Sequence, residues 1–241
     1  MQITWCEDRA DIDARAAAVV GALLATQPQA ALALPTGHTP LGLYARLAAT
    51  VRSGALQMAQ ARYFNLDDYI GVAPDHPLSY ATYMRQNVLE AIGIPASRMR
   101  LLRPDAPDLQ AECRDFEAEI AQAGGLDLAI LGLGNNGHIA FNEPGAPWDG
   151  RTQVVQLDAA TRAQHREQIG EGWDIPEQGI TMGIATIRAA RAVLLLVAGA
   201  AKAPALAALL RGVPDPRWPV TSLLGHPRLQ VLAERALNPQ P

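Results

Sequence analysis

Leu126-Asp127-Leu128-Ala129-Ile130-Leu131-Gly132-Leu133-Gly134-Asn135-Asn136-Gly137-His138-Ile139-Ala140-Phe141-Asn142-Glu143-Pro144-Gly145 is the stretch on which the fold turns. Its first six residues are an apolar run with little polar alternation, the pattern of a parallel strand covered by helices on both faces. A glycine-rich segment follows, and Gly132 to Gly137 fits GxGxxG. That spacing invites a dinucleotide-binding reading. The segment opens, however, into His-Ile-Ala-Phe-Asn-Glu-Pro rather than an amphipathic helix, and Pro144 blocks a helix of the needed length. The reading is therefore a strand that delivers a loop.

The same alternation extends outward in both directions. Further strands are expected at Ala30 to Leu34, Arg62 to Leu66, Thr152 to Leu157, Ala192 to Ala198 and Leu229 to Leu232. Helices are expected over Asp11 to Thr26, Pro40 to Arg52, Ser79 to Ile92, Asp108 to Ala123, Ala159 to Gln168 and Ala201 to Arg211. Ser79 suits an N-cap and Pro40 a first helical turn. Strand–helix alternation over the whole length implies an α/β fold, a doubly wound and mostly parallel sheet with helices on both faces. With no repeat or linker visible, residues 1–241 are expected to form one domain. The irregular stretches are Gly71 to Pro77, Asn135 to Arg151 and Gly170 to Gln178. Long loops beyond the carboxyl ends of strands are where such folds bind ligands.

Composition removes several function classes. A net charge of −4 without clustered Lys and Arg argues against a nucleic-acid partner. No apolar stretch approaches a membrane span, and the acidic start MQITWCEDRADID does not read as a secretory signal, so a cytoplasmic protein is expected. Cys6 and Cys113 lie far apart, with no CxxC or Cys/His spacing for zinc; two reduced cysteines and no metal are expected.

Four segments carry chemistry. In Leu34-Pro35-Thr36-Gly37-His38-Thr39-Pro40, Gly37 allows close backbone approach, the Thr hydroxyls donate, and the helix start after Pro40 favours an anion. This is a phosphate cradle without a Walker sequence, or an ordinary capped turn. In Phe64-Asn65-Leu66-Asp67-Asp68-Tyr69, two adjacent carboxylates repel unless solvated, hydrogen-bonded or used. Asp67 is placed to abstract a proton from carbon beside a carbonyl; a helix cap plus a surface acid is the competing account. In the opening segment His138 titrates near neutrality and Glu143 is suited to orient or protonate it. A satisfied structural histidine is the alternative there. In Val197-Ala198-Gly199-Ala200-Ala201-Lys202, Lys202 falls at a helix start, where the dipole does not favour a cation; a bound anion would account for it, as would simple solvation.

Together, and in this order, these segments resemble the glucosamine-6-phosphate deaminase (isomerase) family. The resemblance spans roughly Ala30 to Leu232 and rests on LPTGHTPLGLY, FNLDDYIG with DHPLSY after it, GLGNNGHIAFNEPG, GITMG and LLLVAGAAKA. The block NGHIAFNEPG separates this family from the 6-phosphogluconolactonases, whose corresponding loop keeps Gly-His but not Asn-Glu-Pro. The resemblance implies a Rossmann-like fold and conversion of glucosamine 6-phosphate to fructose 6-phosphate and ammonia by acid–base catalysis, without metal or organic cofactor. By position it makes Asp67 the base at C2 and C1, and His138 the ring-opening group assisted by Asn136 and Glu143. It assigns phosphate binding to Thr36, Gly37, His38, Thr39 and Lys202.

The sequence also departs from the family pattern. Asn136 stands where many members carry Asp, and Asn orients a histidine without stabilising its cation as strongly. After Thr161-Arg162 the family's aromatic-rich segment is replaced by Ala163-Gln164-His165-Arg166-Glu167-Gln168-Ile169, with the arginine displaced by one position. Arg166 and Arg162 are the candidates for a second phosphate contact. The Gln164-His165 pair is similar to galactosamine-6-phosphate isomerases, so that epimer is the nearest alternative substrate. A 6-phosphogluconolactonase and a non-catalytic sugar-phosphate-binding regulator follow. The chain lacks the C-terminal extension of the longer allosteric hexamers, so a monomer or small homo-oligomer is expected, with a small-molecule sugar phosphate as partner.

Overall fold

The apolar runs of Ala31–Leu34, Leu128–Gly132 and Val193–Val197 become neighbouring strands because each is buried on both faces. The computed structural model describes residues 1–169 and 173–239. In chain order its strands are β1 (Gln2–Cys6), β2 (Ala31–Leu34), β3 (Arg62–Asn65), β4 (Asp67–Tyr69), β5 (Met99–Arg100), β6 (Leu128–Gly132), β7 (Gln153–Gln156), β8 (Gln178–Thr181), β9 (Val193–Val197) and β10 (Leu229–Glu234). The α-helices are α1 (Arg9–Thr26), α2 (Leu41–Arg52), α3 (Tyr80–Met84), α4 (Leu109–Gln122), α5 (Ala159–Ile169), α6 (Ile184–Arg188) and α7 (Ala203–Leu210). Seven strands pair in parallel in the order β1-β10-β9-β6-β2-β3-β5.

Successive residues of each strand go to opposite faces. Leu32, Leu34, Leu128, Ile130, Leu194 and Leu196 join one core, against Ile12, Val20 and Leu24 of α1 and Leu43 and Leu47 of α2. Ala31, Ala33, Ala129, Leu131, Leu195 and Val197 join the other, against Phe116 and Ile120 of α4 and Leu206 and Leu209 of α7. Cys6 and Cys113 are free thiols buried in these separate cores. Ser79 caps α3 as the sequence signals, and Asp8 and Asp108, which the sequence reading did not name as caps, likewise accept a backbone N–H at the start of α1 and α4.

The strand order fixes where a ligand fits. From β2 the chain steps outward through β3 to β5, and from β6 it steps the other way through β9 and β10. The order therefore reverses between β2 and β6, and a crevice opens there beyond their carboxyl ends. The loops leaving β2 and β6 are the two glycine-bearing segments of the sequence.

The structure adds what the sequence reading lacks. Strands β1, β4, β5 and β8 and helix α6 were not expected. The Thr152 to Leu157 strand exists as β7, but it lies outside the parallel sheet, in an antiparallel set ordered β4-β8-β7. The expected helix over Ser79 to Ile92 begins as α3 and widens to a π-turn over Arg85–Glu90. The irregular stretch Gly170 to Gln178 falls partly outside the described residues. Among those described, no helix is long and apolar enough to cross a membrane.

Candidate active site

One cavity of about 190 Å³ sits at the switch point, lined in part by Thr36, Gly37, His38 and Thr39 after β2 and by Asp67 after β3. Gly134 and His138 after β6 and Lys202 after β9 complete its chemically distinctive walls. Four strand ends thus bring together residues up to 166 positions apart in the chain, from Thr36 to Lys202.

The loop after β2 is held with its amides unspent. Tyr44 donates to the Pro35 carbonyl (2.5 Å), Tyr83 to the Gly37 carbonyl (2.6 Å), and Arg9 to the His38 carbonyl. No protein acceptor faces the amides of Gly37, His38 and Thr39 among the described residues. Gly37 has φ 83°, the left-handed conformation that favours glycine. Free N–H groups ahead of α2 form a seat for an anion. Lys202 supplies a full charge: its Nζ donates to Asn135 Oδ1 (2.6 Å), and no carboxylate of the described residues lies within ion-pair reach. Burial lowers its pKa to about 8.

The adjacent carboxylates separate into two roles. Asp68 is fully buried and accepts from the amides of Tyr69 (2.8 Å), Tyr80 (2.9 Å) and Ala81 (3.1 Å) and from Ser79 Oγ (3.2 Å). It fastens the start of α3, although burial still raises its pKa to about 6. Asp67 lines the cavity with Oδ1 unpartnered. Burial, and then the neighbouring Asp68, push its pKa well above the usual carboxylate range. An unpaired carboxylate of raised basicity facing a cavity is suited to proton transfer.

His138 is oriented from behind. Glu143 Oε2 accepts from Asn136 Nδ2 (2.8 Å), which turns Asn136 Oδ1 toward His138 Nδ1 (2.9 Å). An amide oxygen only accepts, so Nδ1 carries the proton and Nε2 is left with a lone pair. Thr161 Oγ1 lies 3.1 Å from both Nδ1 and Glu143 Oε2, and Glu143 Oε2 itself stands 3.7 Å from Nδ1. Burial, then His165 and Lys202, lower the His138 pKa to about 3, so the free site holds neutral imidazole. Its ring lies flat enough on Gly134 that any β-carbon there would collide with it. Ala140, lining the same wall, adopts φ 49°, a left-handed conformation costing a non-glycine residue about 1–2 kcal/mol.

The antiparallel set locks the two acid–base loops together. Asp67 pairs with Thr181 of β8. Thr181 Oγ1 accepts from the Phe141 amide (3.1 Å), and the Met182 carbonyl accepts from Asn142 Nδ2 (2.9 Å). The Gly-Ile-Thr-Met-Gly segment thereby holds the ends of both loops.

The displaced arginines do not reach the cavity. Arg162 Nη1 lies 3.6 Å from Glu177, and Arg166 is exposed on α5; neither lines the cavity. The neighbouring helical positions Gln164 and His165 line it instead, as do Tyr80 and Arg9. Tyr80 donates to Tyr69 Oη (3.2 Å), whose oxygen lies 2.5 Å from His165 Nδ1. The sequence reading gave Tyr80 no role beyond its place in DHPLSY and gave Arg9 none; with the first helix expected only from Asp11, the cation that the structure places in its first turn, the same anomaly that marked Lys202, went unseen. Among the described residues, no group of three or more His, Cys, Asp or Glu is placed to hold a metal.

These features define a doubly wound α/β protein with an anion seat, an unpaired carboxylate and an oriented histidine in one switch-point cavity. Residues 9–231 match the family of glucosamine-6-phosphate isomerases and 6-phosphogluconolactonases, and the chain belongs to it. It is 38% identical over 235 residues to a glucosamine-6-phosphate deaminase of Bacillus pumilus, covering 98% of each chain. It is 40% identical over 236 residues to one of Rhodopirellula baltica, covering 98% of this chain and 94% of that one. Among solved structures, a monomeric glucosamine-6-phosphate deaminase superposes with TM-score 0.94 at 35% identity, covering 98% of both chains. A 6-phosphogluconolactonase from Thermotoga maritima shares the fold, with TM-score 0.75 at 22% identity over 97% of this chain and 98% of that one.

Proposed function

We propose that this chain, acting as one domain over residues 1–241, converts glucosamine 6-phosphate and water to fructose 6-phosphate and ammonia. The observation that carries the reading is one cavity holding an anion seat, the unpaired Asp67 and the Nδ1-protonated His138. In this reading the phosphate sits on the amides of the Thr36–Thr39 loop and on Lys202. His138 Nε2 takes the proton of the anomeric hydroxyl and returns a proton to the ring oxygen, opening the sugar. Asn136 and Glu143 stabilise the transient imidazolium from behind. Asp67 then takes the proton from C2 of the open aldehyde and delivers one to C1, through an enolamine. Water adds to the resulting C2 imine and ammonia leaves. The protein's part in these steps is proton transfer by positioned groups. The family's deaminases, named for this reaction and nearly full-length relatives of this chain, support it.

Galactosamine 6-phosphate is the second reading, favoured by Gln164 and His165 on the cavity wall. It differs in the hydroxyl orientation at C4 and in no proton-transfer step. Ammonia release measured from the two sugars separates the readings: turnover of the gluco epimer alone supports the first, of the galacto epimer alone the second. Release from neither overturns both. A cytoplasmic, cofactor-independent monomer or small oligomer accompanies the proposal; the relative described as monomeric supports the oligomeric part alone.

A further inference from the structure

We propose that Arg9 is the second cation of the phosphate seat, taking the place that Arg162 and Arg166 leave empty. The inference rests on the sugar-phosphate reading above. A phosphate monoester carries about two negative charges at neutral pH, and Lys202 matches only one. Neither arginine of α5 lines the cavity, whereas Arg9 does, together with Lys202 and the Thr36–Thr39 loop.

Arg9 reaches the seat because α1 packs beside α2 on the same sheet face, which brings its first turn against the loop preceding α2. Its Nη2 donates to the His38 carbonyl, and the guanidinium keeps further N–H donors beyond that bond. Nearby acids are engaged elsewhere. Asp8 accepts from the Asp11 amide, and Asp11 accepts from Arg15 and from the Glu7 amide. Asp13, one turn on, feels the charge of Arg9 and of Arg46 but makes no ion pair with either. Arg9 is thus a half-buried residue at the positive end of a helix dipole, beside unspent amides and a lysine that has no carboxylate partner among the described residues. Each of these features is unfavourable for a free cation and favourable for a shared anion. A planar fork suits phosphate oxygens better than a lysine in the same place.

The competing account makes Arg9 a brace for the loop through its bond to His38. Arg9→Gln keeps an N–H donor for that carbonyl and removes the charge; Arg9→Lys keeps the charge. The measurements are the KM for the hexosamine 6-phosphate turned over by the wild type, kcat, and the dissociation constant of inorganic phosphate by calorimetry. Arg9→Gln is expected to raise KM and to weaken inorganic phosphate by roughly tenfold, with kcat within about threefold of wild type. Arg9→Lys should recover part of both losses. Phosphate affinity unchanged in Arg9→Gln overturns the proposal and leaves Arg9 a brace. A wild type that turns over neither hexosamine 6-phosphate, yet binds inorganic phosphate more tightly than Arg9→Gln does, upholds Arg9 while the functional reading fails.

Discussion

Asp67 and Asp68 are neighbours in sequence with opposite surroundings, and their substitutions should divide accordingly. Asp67→Asn removes the proton acceptor while nearly preserving shape, so kcat should fall by about two to four orders of magnitude with KM little changed. Steady-state ammonia assays check this, and near-normal turnover would remove Asp67 from the mechanism. The same variant has a stability signature. The folded-state pKa of Asp67 is raised above its ordinary value of 3.8, so its stabilising contribution is present below that value and lost as pH rises through the folded pKa. Asp67→Asn should therefore unfold at a higher temperature than wild type at pH 7, with the gain fading as the pH falls toward 3.8. Asp68→Asn should do the reverse, destabilising the start of α3, because an amide oxygen cannot accept all of the bonds the carboxylate holds. His138→Gln should slow the cyclic sugar more than an open-chain analogue, since ring opening is its step; equal damage to both would give His138 another role.

At the scale of elements, β8 shows what sequence alone left hidden. The apolar runs of β2, β6 and β9 were readable because burial on both faces leaves no other pattern. The four-residue β8, containing Gly179, and the acidic β4 have no such pattern; they are strands because they pair with one another. A β-carbon at Gly179 would strike the Phe141 ring, a close approach that only the folded chain reveals. The GITMG segment was legible as a family motif, but its work, tying Asp67 to the Asn142 loop, was not. Thr181→Val tests that work. It leaves the buried Phe141 amide without its acceptor, at a cost of about 1–3 kcal/mol. The unfolding temperature should drop and kcat should fall through displacement of the loop carrying His138. Unchanged values for both would make the hydroxyl dispensable.

Across the whole molecule, parallel strands ending at one edge are what let cations from α1 and the β9 junction converge on one cavity with Asp67 and His138. Arg9 escaped the sequence reading because its segment carries no motif, and Tyr80 because DHPLSY assigns it no role; only the packing of α1 and α3 beside the β2 loop brings them in. The same convergence sets the pH response. His138 and His165 have folded pKa values lowered to about 3 and about 4 from 6.5, so their contribution to stability is present above 6.5 and lost as pH falls. Neither histidine titrates on the basic side, where Lys202, lowered to about 8, loses its charge. Affinity for an amine-free hexitol 6-phosphate should therefore decline above about pH 8 as Lys202 loses its proton. An amine-free ligand is needed because the substrate's own ammonium titrates in a similar range. Lys202→Arg keeps the charge at every accessible pH, so the decline should vanish even where absolute affinity is altered by the longer side chain. Competitive inhibition measured from about pH 7 to 10, where the phosphate is a dianion throughout, checks both profiles. A decline that persists unchanged in Lys202→Arg would assign the basic limb to another group and remove Lys202 from the phosphate seat.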